Sequence, residues 1–89
     1  MGSPAIAREL SVFLADLARE GAAPKTLASY RTDLAHFAGW FAESTGEAFT
    51  PAAVTPTDLR DYRAHLLTVE NRAPATVNRR LAALRRFFR

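Results

Sequence analysis

Apolar residues recur every three or four positions along the whole chain, not every second position, and this spacing predicts an all-helical domain. Four segments carry it. The first spans about Pro4 to Glu20, with Leu10, Phe13, Leu14 and Leu17 on one stripe, Ser3 and Pro4 as cap and first helical position, and Gly21 as a C′ residue. The second runs from Pro24 to about Glu43 and gathers Leu27, Tyr30, Leu34, Phe37 and Phe41 in a narrow arc. Trp40 falls on the edge of that arc.

Ser44 to Thr55 has no sustained period and contains Gly46 and Pro51, so it reads as the longest loop, with Phe49 placed to pin it to the core. The third helix has the sharpest local signature. Thr55 as N-cap, Pro56 at N1 and Asp58 at N3 form a capping box, and Val54 with Leu59 fits a hydrophobic staple. Leu59, Tyr62, Leu66 and Val69 define its inward face, with Arg60, Asp61 and Arg63 outside. Asn71 to Ala73 interrupts the pattern. A fourth helix runs from Pro74 to the end, with Val77, Leu81, Leu84 and Phe88 inward. Ala23-Pro24-Lys25-Thr26-Leu27 echoes Ala73-Pro74-Ala75-Thr76-Val77, which implies similar starts for helices two and four, not a duplication.

At 89 residues the chain is one domain, since cores split only beyond about 250 residues. Its 48% hydrophobic and 24% charged content is that of a globular protein. No run of about 18 apolar residues is present, so no membrane partner is expected. The absence of cysteine excludes disulfides and thiolate metal sites and is compatible with a cytoplasmic location. Met1-Gly2-Ser3 lacks the features of a signal peptide and resembles a cloning remnant.

The net charge of +3 hides an asymmetry. Residues 1–70 hold six basic and nine acidic side chains, whereas residues 71–89 hold six arginines and no acid. A basic pole of this kind suits a polyanion, because neutralised phosphates release counterions; a solvated helix face is the plainer alternative.

Steps of 100° from Tyr30 put Lys25, Ser29, Thr32 and His36 on one outward ridge of helix two. The same arithmetic from Val77 puts Arg72, Ala75, Arg79 and Arg86 outward on helix four, with Thr76 and Ala83 beside them, Asn78 and Arg85 on one flank and Arg80 on the other. These ridges combine cations for phosphate with Asn, Arg, Ser and Thr for base edges, and Ala75 and Ala83 would permit close approach. Both helices start after alanine, a poor N-cap, so early backbone N–H groups are open to a phosphate or to water.

Catalytic readings find little support. His36 and His65 lie on different helices without carboxylates at metal spacing, and no Gly-rich phosphate cradle exists, so no metal or other cofactor is expected. Tyr30 and Tyr62 sit at inward positions among Leu and Phe, where a core role outweighs a nucleophilic one. Asp33 and Asp61 read as helix-surface partners for arginine.

Thr26-Leu27-Ala28-Ser29-Tyr30-Arg31-Thr32-Asp33-Leu34, with Phe37 and Trp40, resembles the second helix of the N-terminal, SAM-like core-binding domain of phage integrases and Xer-type tyrosine recombinases. Thr76 to Phe88 is similar to that family's closing helix, and Thr55 to Leu66 to its intervening one. The resemblance covers about residues 6–89 and implies a compact four-helix SAM-like bundle: one arm of a C-shaped clamp on duplex DNA.

In that family a larger catalytic domain follows and carries the tyrosine nucleophile. The chain ends at Arg89, so the expectation is a single core-binding domain over 1–89 that binds DNA without cutting it, alongside its catalytic arm and other recombinase protomers. Carried over by position, the contacts are Lys25, Thr26, Ser29, Thr76, Asn78, Arg79 and Arg80; face arithmetic adds Thr32, His36, Arg72 and Arg86. It leaves Thr26 and Arg80 nearer the core, from which Arg80 could snorkel outward. Ala23, Ala73 and Ala82 stand where the family commonly has serine.

The rival reading is a helical protein-interaction domain docking through helix one or through exposed Phe87 and Phe88. A helix-turn-helix regulator is disfavoured by the long connection between helices two and three.

Overall fold

Helices α1 (Pro4–Arg19), α2 (Pro24–Thr45), α3 (Pro56–Thr68) and α4 (Pro74–Phe87) follow one another, with a single 3₁₀ turn at Pro51–Ala53. The computed structural model describes residues 4–47 and 49–88, with side chains from residue 8 onward. The proposed Ser3 cap therefore lies outside the described residues. Among them there is no strand, and no helix is long and apolar enough to cross a membrane.

Local chemistry accounts for each boundary. α1 closes in a Schellman arrangement: Gly21 takes φ 95°, its N–H returns to Ala18 O at 3.1 Å, and the Ala22 N–H reaches Leu17 O at 3.0 Å. α2 extends two residues past Glu43 and stops at Gly46, whose φ of 72° is left-handed and whose N–H bonds Ala42 O. α3 opens on the expected capping box: the Asp58 N–H donates to Thr55 Oγ1 at 3.2 Å, and the Thr55 N–H donates to Asp58 Oδ2 at 2.8 Å. Asn71, with φ 52°, turns the chain out of α3, and the Arg72 N–H returns to Leu66 O at 2.9 Å.

α2 is the central element. α1 packs along one side of it, while α4 packs against both α2 and α3. Leu34, Phe37, Phe41, Phe49, Tyr62, Leu66, Val77, Leu81 and Leu84 form the core. Phe49 is 3% exposed and meets Phe37 edge-on at 5.8 Å, so the loop before α3 is indeed pinned. Trp40 packs against Tyr62 at the core margin.

Two expectations about the apolar pattern are corrected. Val69 is 67% exposed, because α3 ends at Thr68 and the chain turns away before Val69 can face inward. Phe87 and Phe88 are half-buried, not exposed: Phe87 meets Phe13 edge-on at 5.2 Å, and Phe88 packs on Phe37 and Phe49. An interaction surface built on these two rings loses its anchors.

Candidate nucleic-acid interface

α2 and α4 run in opposite senses. Glu20, ahead of α2, pairs with Arg86 near the end of α4; Asp33 meets Arg79 midway; and His36 meets Glu70, ahead of α4. Between the helices lies a groove lined by Thr26, Ser29, Tyr30, Asp33, Arg79, Ala82 and Ala83, which continues past Lys25, Ala28 and Thr32. Thus Lys25, Thr26, Ser29 and Thr32 of α2 share one surface with Arg79 of α4. Thr26 is exposed there, against the face arithmetic, because the groove opens beside the first turn of α2.

Asp33 sits under this groove, 2% exposed, and corrects the expectation of a surface partner. Arg79 Nη2 donates to Asp33 Oδ1 at 3.1 Å, and Arg80 Nε lies 3.7 Å from the same oxygen. The two arginines differ sharply, with side chains 57% and 9% exposed. Arg79 is anchored at one corner while its other N–H donors face solvent. Arg80 does not snorkel outward: its Nε and Nη1 are fully buried without a hydrogen-bond partner in the protein. Its charge is matched by buried Asp33, which holds it inside.

His36 is the second departure. Although it continues the α2 ridge by spacing, it is half-buried and turned toward α3. Its Nδ1 lies 2.7 Å from Tyr62 Oη, and its Nε2 lies 3.2 Å from Glu70 Oε2. The Tyr62 phenol and the Glu70 carboxylate thus flank the two ring nitrogens. Burial, reinforced by the nearby Arg80 charge, holds the His36 pKa below its ordinary value. Burial also pushes the pKa of the enclosed Tyr62 phenol up to about 12.

Glu70 additionally contacts His65 Nε2 at 2.9 Å and accepts from Arg72 Nε at 3.0 Å. Burial alone would raise its pKa; the hydrogen bond from Arg72, the His36 charge and the bond from His65 outweigh it and lower the value. The sequence placed the two histidines on separate helices with no nearby carboxylate cluster at metal spacing. Past the end of α3 the Glu70 N–H returns to His65 O at 3.1 Å, and its carboxylate meets both rings. Among the described residues, no group of His, Asp and Glu side chains is arranged to hold a metal ion.

The remaining candidates are dispersed. Arg72 is exposed but paired with Glu70, Arg86 is half-buried and paired with Glu20 at 2.6 Å, Thr76 is half-buried, and Asn78 is exposed on α4. Ala83, expected to be open to a ligand, is 3% exposed; Ala82 takes the open position. The N-caps of both helices, Ala23 and Ala73, make no side-chain hydrogen bond. Because the helices are antiparallel, their N-termini lie at opposite ends of the contact and cannot share one anion.

Sequence reasoning left one further basic surface unassigned. α3 and α4 enclose a groove lined by Pro56, Leu59, Arg60, Arg63, Leu81 and Arg85. The three-residue spacing of Arg60 and Arg63 was the available signal.

Comparison with known proteins bears on this arrangement. The family described as "Phage integrase, N-terminal SAM-like domain" matches residues 10–89. The tyrosine recombinase XerC of Chlorobaculum parvum (strain DSM 263 / NCIMB 8327) is 34% identical over 87 residues, covering 92% of this chain and 26% of that protein. The tyrosine recombinase XerC of Pelotomaculum thermopropionicum (strain DSM 13744 / JCM 10971 / SI) is 38% identical over 73 residues, covering 79% and 24%. The chain spans about a quarter of the length of these curated relatives. No solved structure gives a significant match. With the family matched over nearly the whole α1–α4 bundle, this chain belongs to the phage integrase N-terminal SAM-like domains.

Proposed function

We propose that this chain is the duplex-gripping arm of a tyrosine recombinase and that the α2–α4 groove lies against DNA. One observation carries the reading: Lys25, Thr26, Ser29 and Thr32 share a groove with an Arg79 whose guanidinium is anchored on one side and open on the other. Cations and hydroxyls in a shallow groove suit phosphate oxygens and base edges, and exposed Ala82 leaves room for close approach. Arg72, Thr76, Asn78 and Arg86 are peripheral contacts in this reading, with Arg72 and Arg86 exchanging a carboxylate for phosphate. His36 and Arg80 act from inside, by holding α2 and α4 in register.

The chain performs no strand transfer itself. Its two tyrosines are committed to packing: Tyr62 is enclosed, and Tyr30 sits edge-on to Phe13 at 5.6 Å. Chemistry comes from another part of the recombinase polypeptide, and neighbouring protomers assemble on the same DNA.

Titration of isotopically labelled protein with duplex DNA tests this. Shifts at Lys25, Thr26, Ser29 and Arg79 are expected, with affinity that falls as salt rises. A salt-independent response, or shifts confined to α1, would sink the proposal and favour a protein-interaction role.

A further inference from the structure

Resting on the duplex reading above, we propose that the α3–α4 groove is a second phosphate-binding ridge, which holds the opposite wall of the major groove that receives α4. Pro56, Leu59 and Leu81 contribute apolar lining, while Arg60, Arg63 and Arg85 bring three cations from two helices to one concavity. All three arginines are exposed, and among the described residues none forms an ion pair. Arg19, Arg72, Arg79 and Arg86, by contrast, each hold a carboxylate. Like charges left unmatched in a groove focus positive potential there and favour an extended polyanion.

The rotation of α4 shows why the occupant is the second strand of the same duplex. Residues three apart step back by about 60° around a helix, so Arg79, Ala82 and Arg85 fan across one face. Arg79 marks the edge toward α2, Arg85 the edge toward α3, and exposed Ala82 lies between them. A helix entering the major groove meets a phosphate wall on each side of itself. The α2 side offers Lys25 and Arg79 to one wall; the α3 side offers Arg60, Arg63 and Arg85 to the other. An acidic protein partner would match the charge of the second groove alone, but it would make no use of the small residue between two cationic edges.

Fluorescence anisotropy with a labelled duplex of mixed sequence, measured across a salt series, separates the possibilities. Each phosphate neutralised contributes about 0.9 to the log–log slope, so the three arginines of the second ridge add roughly 2.7 to whatever the α2–α4 side supplies. The triple variant Arg60→Gln/Arg63→Gln/Arg85→Gln should weaken binding and flatten the slope by about 2.7, and Arg63→Gln alone by about 0.9, both with unchanged thermal melting. If the folded triple variant keeps the parental slope while Lys25→Gln/Arg79→Gln loses affinity, the second ridge is wrong and the α2–α4 reading stands. If the parent shows no salt-dependent duplex binding, both fall. Resonance shifts at Arg63 and Arg85 with a polyglutamate peptide but not with duplex would overturn the ridge in favour of an acidic protein partner.

Discussion

Asp33 on α2 holds two arginines from consecutive positions of α4: Arg79 Nη2 at 3.1 Å on the open side and Arg80 Nε at 3.7 Å on the buried side. One carboxylate thus orients a surface cation and neutralises an enclosed one. Asp33→Ala leaves Arg80 buried without a counter-charge and should cost about 3 to 5 kcal/mol in urea denaturation. Arg79→Ala removes only a largely exposed partner and should cost less than about 1 kcal/mol. The double variant Asp33→Leu/Arg80→Met, which removes both buried charges, should recover most of the Asp33→Ala loss. Equal destabilisation by Asp33→Ala and Arg79→Ala would show that Arg80 is not the group Asp33 serves.

Ala82 and Ala83 are neighbours with opposite surroundings. Ala83→Leu should overpack the α2–α4 contact and lower stability by about 1 to 3 kcal/mol. Ala82→Leu should leave thermal melting nearly unchanged while weakening duplex binding, because it fills the open strip of the groove. Calorimetry and anisotropy on the two variants read these effects separately; the reverse assignment would place α4 with the wrong face outward.

Helix starts offer a contrast between a satisfied and an unsatisfied cap. Thr55→Ala removes a bond seen at 3.2 Å and should cost about 1 kcal/mol. Ala73 is already extended, at φ −62° and ψ 146°, so Ala73→Ser should add about 1 kcal/mol by reaching the first free N–H groups of α4. Chemical denaturation midpoints give both signs directly.

Acid should destabilise the fold through His36 and then Glu70. The folded state lowers the His36 pKa below its ordinary 6.5, so neutral His36 favours folding. That contribution is complete above 6.5 and is lost as the pH falls through the lowered folded value. Glu70 is likewise depressed below 4.5, and its contribution is lost in the next, more acidic window. Stability measured stepwise below pH 6.5 should therefore decline, and His36→Gln should remove the upper part of the decline. A His36 ring resonance titrating above 6.5 in the folded protein would reverse the sign and contradict the arrangement.

Much of this protein was legible in the residue order. The three-four apolar spacing, the Thr55–Asp58 box, Gly21 past α1 and the Phe49 anchor are local signals, because helix formation and capping are settled within a few residues. The pairing of Lys25 and Ser29 with Arg79 was also approachable, since each lies outward on its own helix. Positions at the margin of a face were not. Arg80 and Asp33 lie at such margins, and His36 and Ala83, outward or beside the outward residues by projection, are covered all the same, because a projection of one helix cannot say whether solvent or another helix comes next.

Only the packing of α4 against α2 and α3 decided those positions. It enclosed Arg80 against Asp33 and buried Ala83, while the end of α3 brought Glu70 to His36 and His65. The sequence alone determined which helices form and which faces are apolar, because those depend on the backbone period and local capping. Which charges are buried, and which arginines stay free to meet a partner, depends on side chains brought together from distant stretches of chain, and that only the tertiary structure could settle.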